Sequence, residues 1–419
     1  MWIFDRDMWV EIMNTLTKNM FRTFLTMLGV FIAMIILLLL LGATAGMSNG
    51  FKQMFEGTTG NSLFIFGGVT AEPYKGFERG RRIGYTIDDV ELIKKQVPEI
   101  DVLAPRVGLG GRRGVSVQVY RNGQSSGSSV YGDYPEIDIV TKKNIVQGRF
   151  LNQNDIDAAK KICVIGLEAY EILFEKGEDP IGQSVRINGV FFSVVGVFKK
   201  NARVDIDGEN AVFIPFTTFQ KTFGSGNSVG FMAITVFPEY KVPPVEKKIK
   251  DILKRKYSIH PDDERAIGSF DLSQIFEGIS MFTGALKGFS FFIGIFTLLA
   301  GVIAVSNILL ITVKERTKEI GVRRALGATP IVVKRQIVME AIVITVFAGI
   351  LGFALSVGVL AIADAVVSNN DDIPIKKPMF GVAEFLISFV LMVGLSVLIG
   401  LIPANRAVRI KPIDALREE

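Results

Sequence analysis

FLTMLGVFIAMIILLLLL, residues 24–41, is the stretch on which the fold turns. It holds no charged side chain, and as a helix it covers about 27 Å, close to the roughly 30 Å of a bilayer's hydrocarbon core. The uncharged region around it extends from Thr23 to Phe51. Three further stretches have the same character: Gly288–Val313, Ala341–Ala363 and Phe385–Asn405. With their approaches they define four spans, at 23–51, 286–313, 337–363 and 381–405. A secretory signal is the rival reading of the first, because Arg22 precedes it and Ala43-Thr44-Ala45 resembles a cleavage site. Its apolar run is longer than the roughly 7–15 residues of a signal core, which favours a span. Small residues four apart, at Gly29/Ala33, Ala300/Ala304, Ala354/Gly358 and Ser396/Gly400, suit close helix crossings.

Composition agrees with a membrane protein. Of 419 residues 49% are hydrophobic and 21% charged, too apolar for a disordered chain. One cysteine, Cys163, and one histidine, His260, exclude a structural zinc site of about four ligands and weaken any histidine-based triad. Cys163 reads as a buried thiol within Ile162–Ile165, and His260 as a loop imidazole before Pro261. The phosphate loop of nucleotide hydrolases needs Gly-Lys followed by Ser or Thr, and no Gly-Lys occurs among the 42 glycines. No metal or cofactor is expected on this chain.

Basic residues set the orientation. Residues 1–22, 314–340 and 406–419 carry 3, 7 and 4 Lys or Arg, against Lys376 and Lys377 alone in the loop at 364–380. Those three segments are therefore expected in the cytosol, with both termini inside. They hold the whole net charge of +5, spread over membrane-proximal pieces and not along one nucleic-acid-binding face. In the lead-in at 1–22, Trp2, Trp9, Ile12, Met13, Leu16 and Met20 fall near one helical face, as for a helix lying in the interface.

Residues 52–285 then form an extracytoplasmic α+β domain of two lobes. A strand, helix, strand pattern occurs at each end. The first runs from Ser62–Phe66 through a helix capped by Thr86 and Asp89 to a strand near Val102. The second runs from Met232–Val236 through Val245–Lys256 toward Phe270. One lobe is thus expected at about 52–130 and 228–285, with a β-rich lobe at about 131–227 inserted. Asn188-Gly189 marks a hairpin turn in the insert. Ser125–Ser129 and Gly224–Asn227 read as flexible loops. Asp205, Asp207 and Glu209 lack the spacing of a calcium loop and read as a solvated turn.

The segment 314–330, KERTKEIGVRRALGATP, is the most informative for function. Gly327 suits the left-handed position after a helix, and Thr329 with Pro330 suits the start of the next. Both charge signs are mixed around small and apolar positions, which favours docking into a partner's groove over binding an anionic lipid surface.

These segments resemble the MacB/FtsX-type permeases of ABC transporters. The likeness runs through RTFLTMLGVFIA, GRFLNQNDIDAAKKICVIG, IGQSVRINGVFFSVVGVFKKN, NILLITVKERTKEIGVRRALGAT and GLIPANRAVRIKPIDALREE, and so covers nearly the whole chain. The resemblance implies a non-catalytic permease of the bacterial cytoplasmic membrane with a MacB-like periplasmic core domain. It implies pairing with a second permease chain, identical or paralogous. The hairpin at 314–336 would dock on a cytosolic ABC ATPase, which holds ATP and magnesium. It also implies mechanotransmission to the outer domain and an extracytoplasmic partner such as a periplasmic adaptor. Carried over by position, the docking residues are Glu315, Arg316, Glu319, Ile320, Gly321, Arg323, Arg324, Leu326 and Gly327. With no ATPase domain before the lead-in, the ATPase is expected to be a separate polypeptide. Export or extraction of a substrate and regulation of a cell-wall hydrolase share these motifs; the large outer domain favours the former.

Overall fold

The computed structural model of the chain describes residues 20–109, 116–200, 207–368, 373 and 375–409. Its helices are α1 (Met20–Met54), α2 (Ile87–Gln96), α3 (Ile137–Val140), α4 (Gln153–Asp157), α5 (Leu167–Leu173), α6 (Phe216–Phe223), α7 (Val242–Lys256), α8 (Leu272–Glu315), α9 (Thr317–Ala325), α10 (Pro330–Ser368) and α11 (Val382–Val408). Its strands are β1 (Ser62–Gly67), β2 (Tyr85–Thr86), β3 (Ile100–Gly108), β4 (Val117–Arg121), β5 (Gln124–Ser128), β6 (Val130–Asp133), β7 (Asn144–Gly148), β8 (Ile162–Gly166), β9 (Ser184–Ile187), β10 (Val190–Lys199), β11 (Val212–Pro215), β12 (Ser228–Val229), β13 (Phe231–Val236) and β14 (Ile267–Asp271). The chain divides into two compact units: one runs to Phe51 and resumes at Ile279, and the other is Lys52–Gly278. The interfacial lead-in lies outside the described residues except for Met20–Arg22, which begin α1. The tail from 410 onward lies outside them too.

In the first unit α1, α8, α10 and α11 are long and apolar enough to cross a membrane. Lipid tails are as apolar as leucine, so these helices associate through close fit. Val30, Ala33, Met34, Leu37, Leu38 and Leu41, spaced three and four apart, form the buried stripe of α1. A Cβ built on Gly301 would lie 2.9 Å from the Gly29 backbone, so α1 and α8 cross there main chain to main chain. On its other side α1 meets α10, where Gly352 abuts Phe31 and Met34 and Gly42 abuts Leu360. The α10–α11 contact includes a hydrogen bond from the Thr345 hydroxyl to Ser396 (3.0 Å) and the approach of Gly400 to Ala341. Gly358 has nothing within 4 Å of its Cβ position. Within this chain the Ala354/Gly358 pair therefore makes no close crossing at its glycine.

The second unit is built on a twelve-stranded sheet ordered β14-β1-β13-β3-β6-β11-β8-β10-β9-β4-β5, with β7 also paired to β10. The two ends of the unit meet in the sheet: β1 lies between β13 and β14, and β13 pairs with β3. Val90 and Ile93 of α2 and Val245, Ile249, Ile252 and Leu253 of α7 share one buried core with Leu63, Ile65, Leu103, Met232 and Ile234 of these strands. The Thr86 N–H donates to the Asp89 carboxylate (2.7 Å) at the start of α2. Asn188 and Gly189 have φ of 45° and 87°, the left-handed pair that a two-residue hairpin turn requires, and Ile187 faces Val190.

Two expectations are corrected here. The inserted part begins earlier than residue 131, because β4 pairs with β9 and not with the terminal strands. Ser125–Ser128 is not a loop but lies in β5, where Ser126 and Ser128 are buried with their hydroxyls 3.3 Å apart. Small polar side chains fit under a sheet once they partner each other, and composition does not reveal that partnership. Cys163 is buried in β8, where burial pushes its thiol well above the usual range. The His260 ring packs edge-on against Tyr74, and its Nδ1 accepts from the Asp262 N–H.

Candidate functional site

The hairpin between α8 and α10 is held by local rules. The last turn of α9 closes with the Ala328 N–H on the Arg323 carbonyl (3.0 Å) and the Gly327 N–H on the Arg324 carbonyl (3.2 Å). These two bonds form a Schellman motif, and it needs the positive φ of 101° that Gly327 adopts. Pro330 then opens α10 without wasting a backbone donor. Glu319 lies in the first turn of α9 and Arg323 and Arg324 in the last, so the charges complement the helix dipole.

Of the nine residues expected to dock a partner, some are engaged with the spans or with one another and others stand exposed at the surface of the hairpin. Ile320 packs on Val313, Val333, Ile337, Ala404 and Ala407, joining α9 to the ends of α8, α10 and α11. Gly321 is buried. Arg324 donates to the carbonyl of Val408, at the end of α11 (2.6 Å). Glu315 accepts both guanidinium nitrogens of Arg22 at 2.6 and 3.0 Å, and this hydrogen bonding holds its carboxyl below the usual carboxylate range. Arg316 and Arg323 both donate to Glu319, at 2.9 and 2.7 Å. They line an open groove with Leu309, Thr312, Gln336 and Glu340.

Leu326 and Gly327 point to solvent. With them stand Lys318, Val322 and Ala325, which are not among those nine. Val322 is 42% and Leu326 83% exposed. Positions 318, 322 and 326 are four apart, so they form one ridge, apolar at Val322 and Leu326. The spacing was present in the sequence. The missing information was which face of α9 the ends of α8, α10 and α11 would cover.

The second unit contains a buried charge cluster that the sequence did not announce. Arg106 on β3 donates to both oxygens of Asp133 on β6, at 2.6 and 2.7 Å, and also to Asp207. Lys143 reaches the other Asp207 oxygen at 2.5 Å. Tyr131, Phe213 and Phe231 ring the guanidinium. Asp207 is therefore not part of a solvated turn; its side chain is 1% exposed. Asp205 lies outside the described residues. Burial pushes Asp133 up to about 6 against the pull of Arg106. Burial also raises Asp207, but Arg106 and Lys143 outweigh it and hold the carboxyl well below the usual range. These groups bridge β3, β6 and the segments before β7 and β11. Their geometry suits a structural lock, all four side chains being buried and paired with one another. Among the described residues no group of three His, Cys, Asp or Glu could hold a metal ion.

Four apolar helices, a large α/β unit between the first and second, and a capped charged hairpin between the second and third define the permease component of an ABC transporter. Residues 23–252 match the MacB-like periplasmic core domain, more than half of the chain, and residues 291–412 match the FtsX-like permease C-terminal region. The chain belongs to this family of MacB/FtsX-type permeases. It is a membrane protein whose α/β unit is extracytoplasmic. It is 28% identical over 412 residues to the macrolide export ATP-binding/permease protein MacB of Bdellovibrio bacteriovorus, covering 97% of this chain and 61% of that protein. It is 28% identical over 421 residues to the pyoverdine export ATP-binding/permease protein PvdT of Pseudomonas savastanoi pv. phaseolicola, covering 99% and 58%. The chain thus spans about three fifths of the length of the curated relatives it matches. Among solved structures, the periplasmic region of MacB from Actinobacillus actinomycetemcomitans aligns with a TM-score of 0.43 at 21% identity, covering 54% of this chain and 95% of that one. The extracellular domain of the transporter YknZ aligns with a TM-score of 0.41 at 18% identity, covering 50% and 100%.

Proposed function

We propose that this chain couples ATP hydrolysis by an ABC ATPase subunit to movement of its extracytoplasmic domain, and that this movement drives export or extraction of a substrate from the outer side of the membrane. The exposed ridge of Lys318, Val322, Ala325 and Leu326 carries the proposal. An apolar edge on a short, firmly capped helix is costly to leave in water and fits a groove on a partner protein. Glu319, Gly327 and the paired Arg316 and Arg323 border it.

In this reading the ATPase holds the nucleotide and its magnesium ion, and two permease chains pair so that two ATPase subunits act together. Closure of the ATPases displaces α9, and α8 and α10 carry the displacement across the bilayer. Ion coupling would place ionisable groups deep in the spans. Here Lys287, Glu340, Asp364 and Glu384 sit at or near span ends, and Lys287 pairs with Glu384 at 2.5 Å, which favours an external motor. An extracytoplasmic adaptor would take up the motion.

The test uses the full chain in nanodiscs with an ABC ATPase of the same organism that binds it. Leu326→Asp places a charge on the ridge and is expected to weaken ATPase binding by about tenfold or more, as for a central interface residue. Binding indistinguishable from wild type would overturn the docking assignment.

A further inference from the structure

The hairpin is covalently continuous with only two spans, α8 and α10, yet its two ends are tied by side chains to the other two. At the entry, Glu315 holds the Arg22 guanidinium at the start of α1 through two parallel hydrogen bonds of 2.6 and 3.0 Å. At the exit, Arg324 donates to the Val408 carbonyl, the last residue of α11, at 2.6 Å. Both contacts have a directional logic. The fork-to-carboxylate arrangement fixes orientation as well as distance. A guanidinium at a helix C-terminus meets carbonyls with no partner inside the helix. Between these ties Ile320 seats α9 on Val313, Val333, Ile337, Ala404 and Ala407.

We infer that Arg22, Glu315 and Arg324 are positioning residues, two clasps that make α9 a yoke pulling on all four spans, and that Glu315 and Arg324 are not contacts to the ATPase. The inference rests on the proposed docking of α9. It assigns the matched motif two tasks: the outward ridge receives force, and the charges paired to α1 and α11 distribute it, Glu315 doing so from a half-exposed position. The clasps add orientation to the apolar seat of α9 on α8, α10 and α11, because an oriented ion pair slides less readily than apolar contacts.

The full chain in nanodiscs tests this with Arg22→Glu, Glu315→Arg and the combined exchange of the two charges. Hydrogen exchange of Thr317–Ala325 is read in the chain alone. Each single change is expected to speed exchange there several-fold, and the combined exchange to restore it. With the same ATPase added, each single change is expected to lower its stimulation by about three- to fivefold, while the dissociation constant stays within about twofold of wild type. The combined exchange restores stimulation. Arg324→Met should behave like the single changes, with partial rescue by Arg324→Lys.

Loss of ATPase binding in Glu315→Arg that the combined exchange does not repair would overturn the clasp and return Glu315 to the docking face. Unchanged exchange and stimulation in the single variants would overturn it as well. Failure of the docking reading looks different. Leu326→Asp would then leave ATPase binding intact, while the exchange rates of the isolated chain still judge the clasps.

Discussion

Arg106 is a buried cation whose placement depends on every neighbour it has. Two carboxylates and Lys143 accompany it, so the cluster Arg106, Asp133, Asp207 and Lys143 is neutral in formal charge. A buried group of this kind adds little net stability, but removing one member strands the rest at a cost of about 3–5 kcal/mol. Its titration has a definite sign. Asp133 stands at about 6 in the folded chain against an ordinary value of 3.8, so the folded state holds this proton more tightly than the unfolded state. The contribution of Asp133 to stability therefore falls as pH rises from about 4 to about 6 and is constant above that. Thermal unfolding of the wild type and Asp133→Asn across this window checks it. The wild type is expected to lose about 1–3 kcal/mol relative to the variant between pH 4 and pH 7, and a constant difference would refute the assignment.

At the scale of elements, glycine placement governs how the spans meet. Gly29 and Gly301 let α1 and α8 touch through their backbones, and any side chain at Gly301 must push the helices apart. Gly358 on α10 faces open space within the chain. Gly301→Leu is expected to destabilise the first unit by about 1–3 kcal/mol, the usual cost of overpacking, and Gly358→Leu to leave the melting temperature of the detergent-solubilised chain within a degree or two. Equal melting of the two variants would contradict the crossing. Both glycines stood in small-residue pairs or beside them in the sequence, at Ala300/Ala304 and Ala354/Gly358. Composition alone does not separate the two, because lipid-facing and helix-facing glycines look alike until the partner helix is in place.

At the scale of the whole molecule, the asymmetry of basic residues predicts that α9 lies in the cytosol, opposite the extracytoplasmic Lys52–Gly278. Cys163 is buried with its thiol raised by that burial, so it is expected to react little with thiol reagents and to leave an added single cysteine as the reporter. In intact spheroplasts a membrane-impermeant maleimide is expected to label Tyr120→Cys, at an exposed site in β4, and to spare Lys318→Cys until the membrane is opened. The reverse pattern would invert the topology and remove the cytosolic docking of α9 with it.

Four spans, the capped α9 hairpin, the turn at Asn188-Gly189 and the strand, helix, strand patterns at both ends of the outer unit were legible from residues 20–409. Hydropathy, capping and turn chemistry act over one or two turns of chain and need no partner. The twelve-strand order, the early start of the insert, the pairing of Glu315 with Arg22 and of Arg324 with Val408, and the burial of Asp207 were decided only in three dimensions. Arg22 and Glu315 are 293 residues apart and Arg106 and Asp207 are 101 apart. A charged side chain reads as solvated until the fold brings its counterion to it. No local pattern records a pairing that exists only when distant segments meet, whether half-exposed as for Arg22 and Glu315 or in the low-dielectric interior as for Arg106 and Asp207.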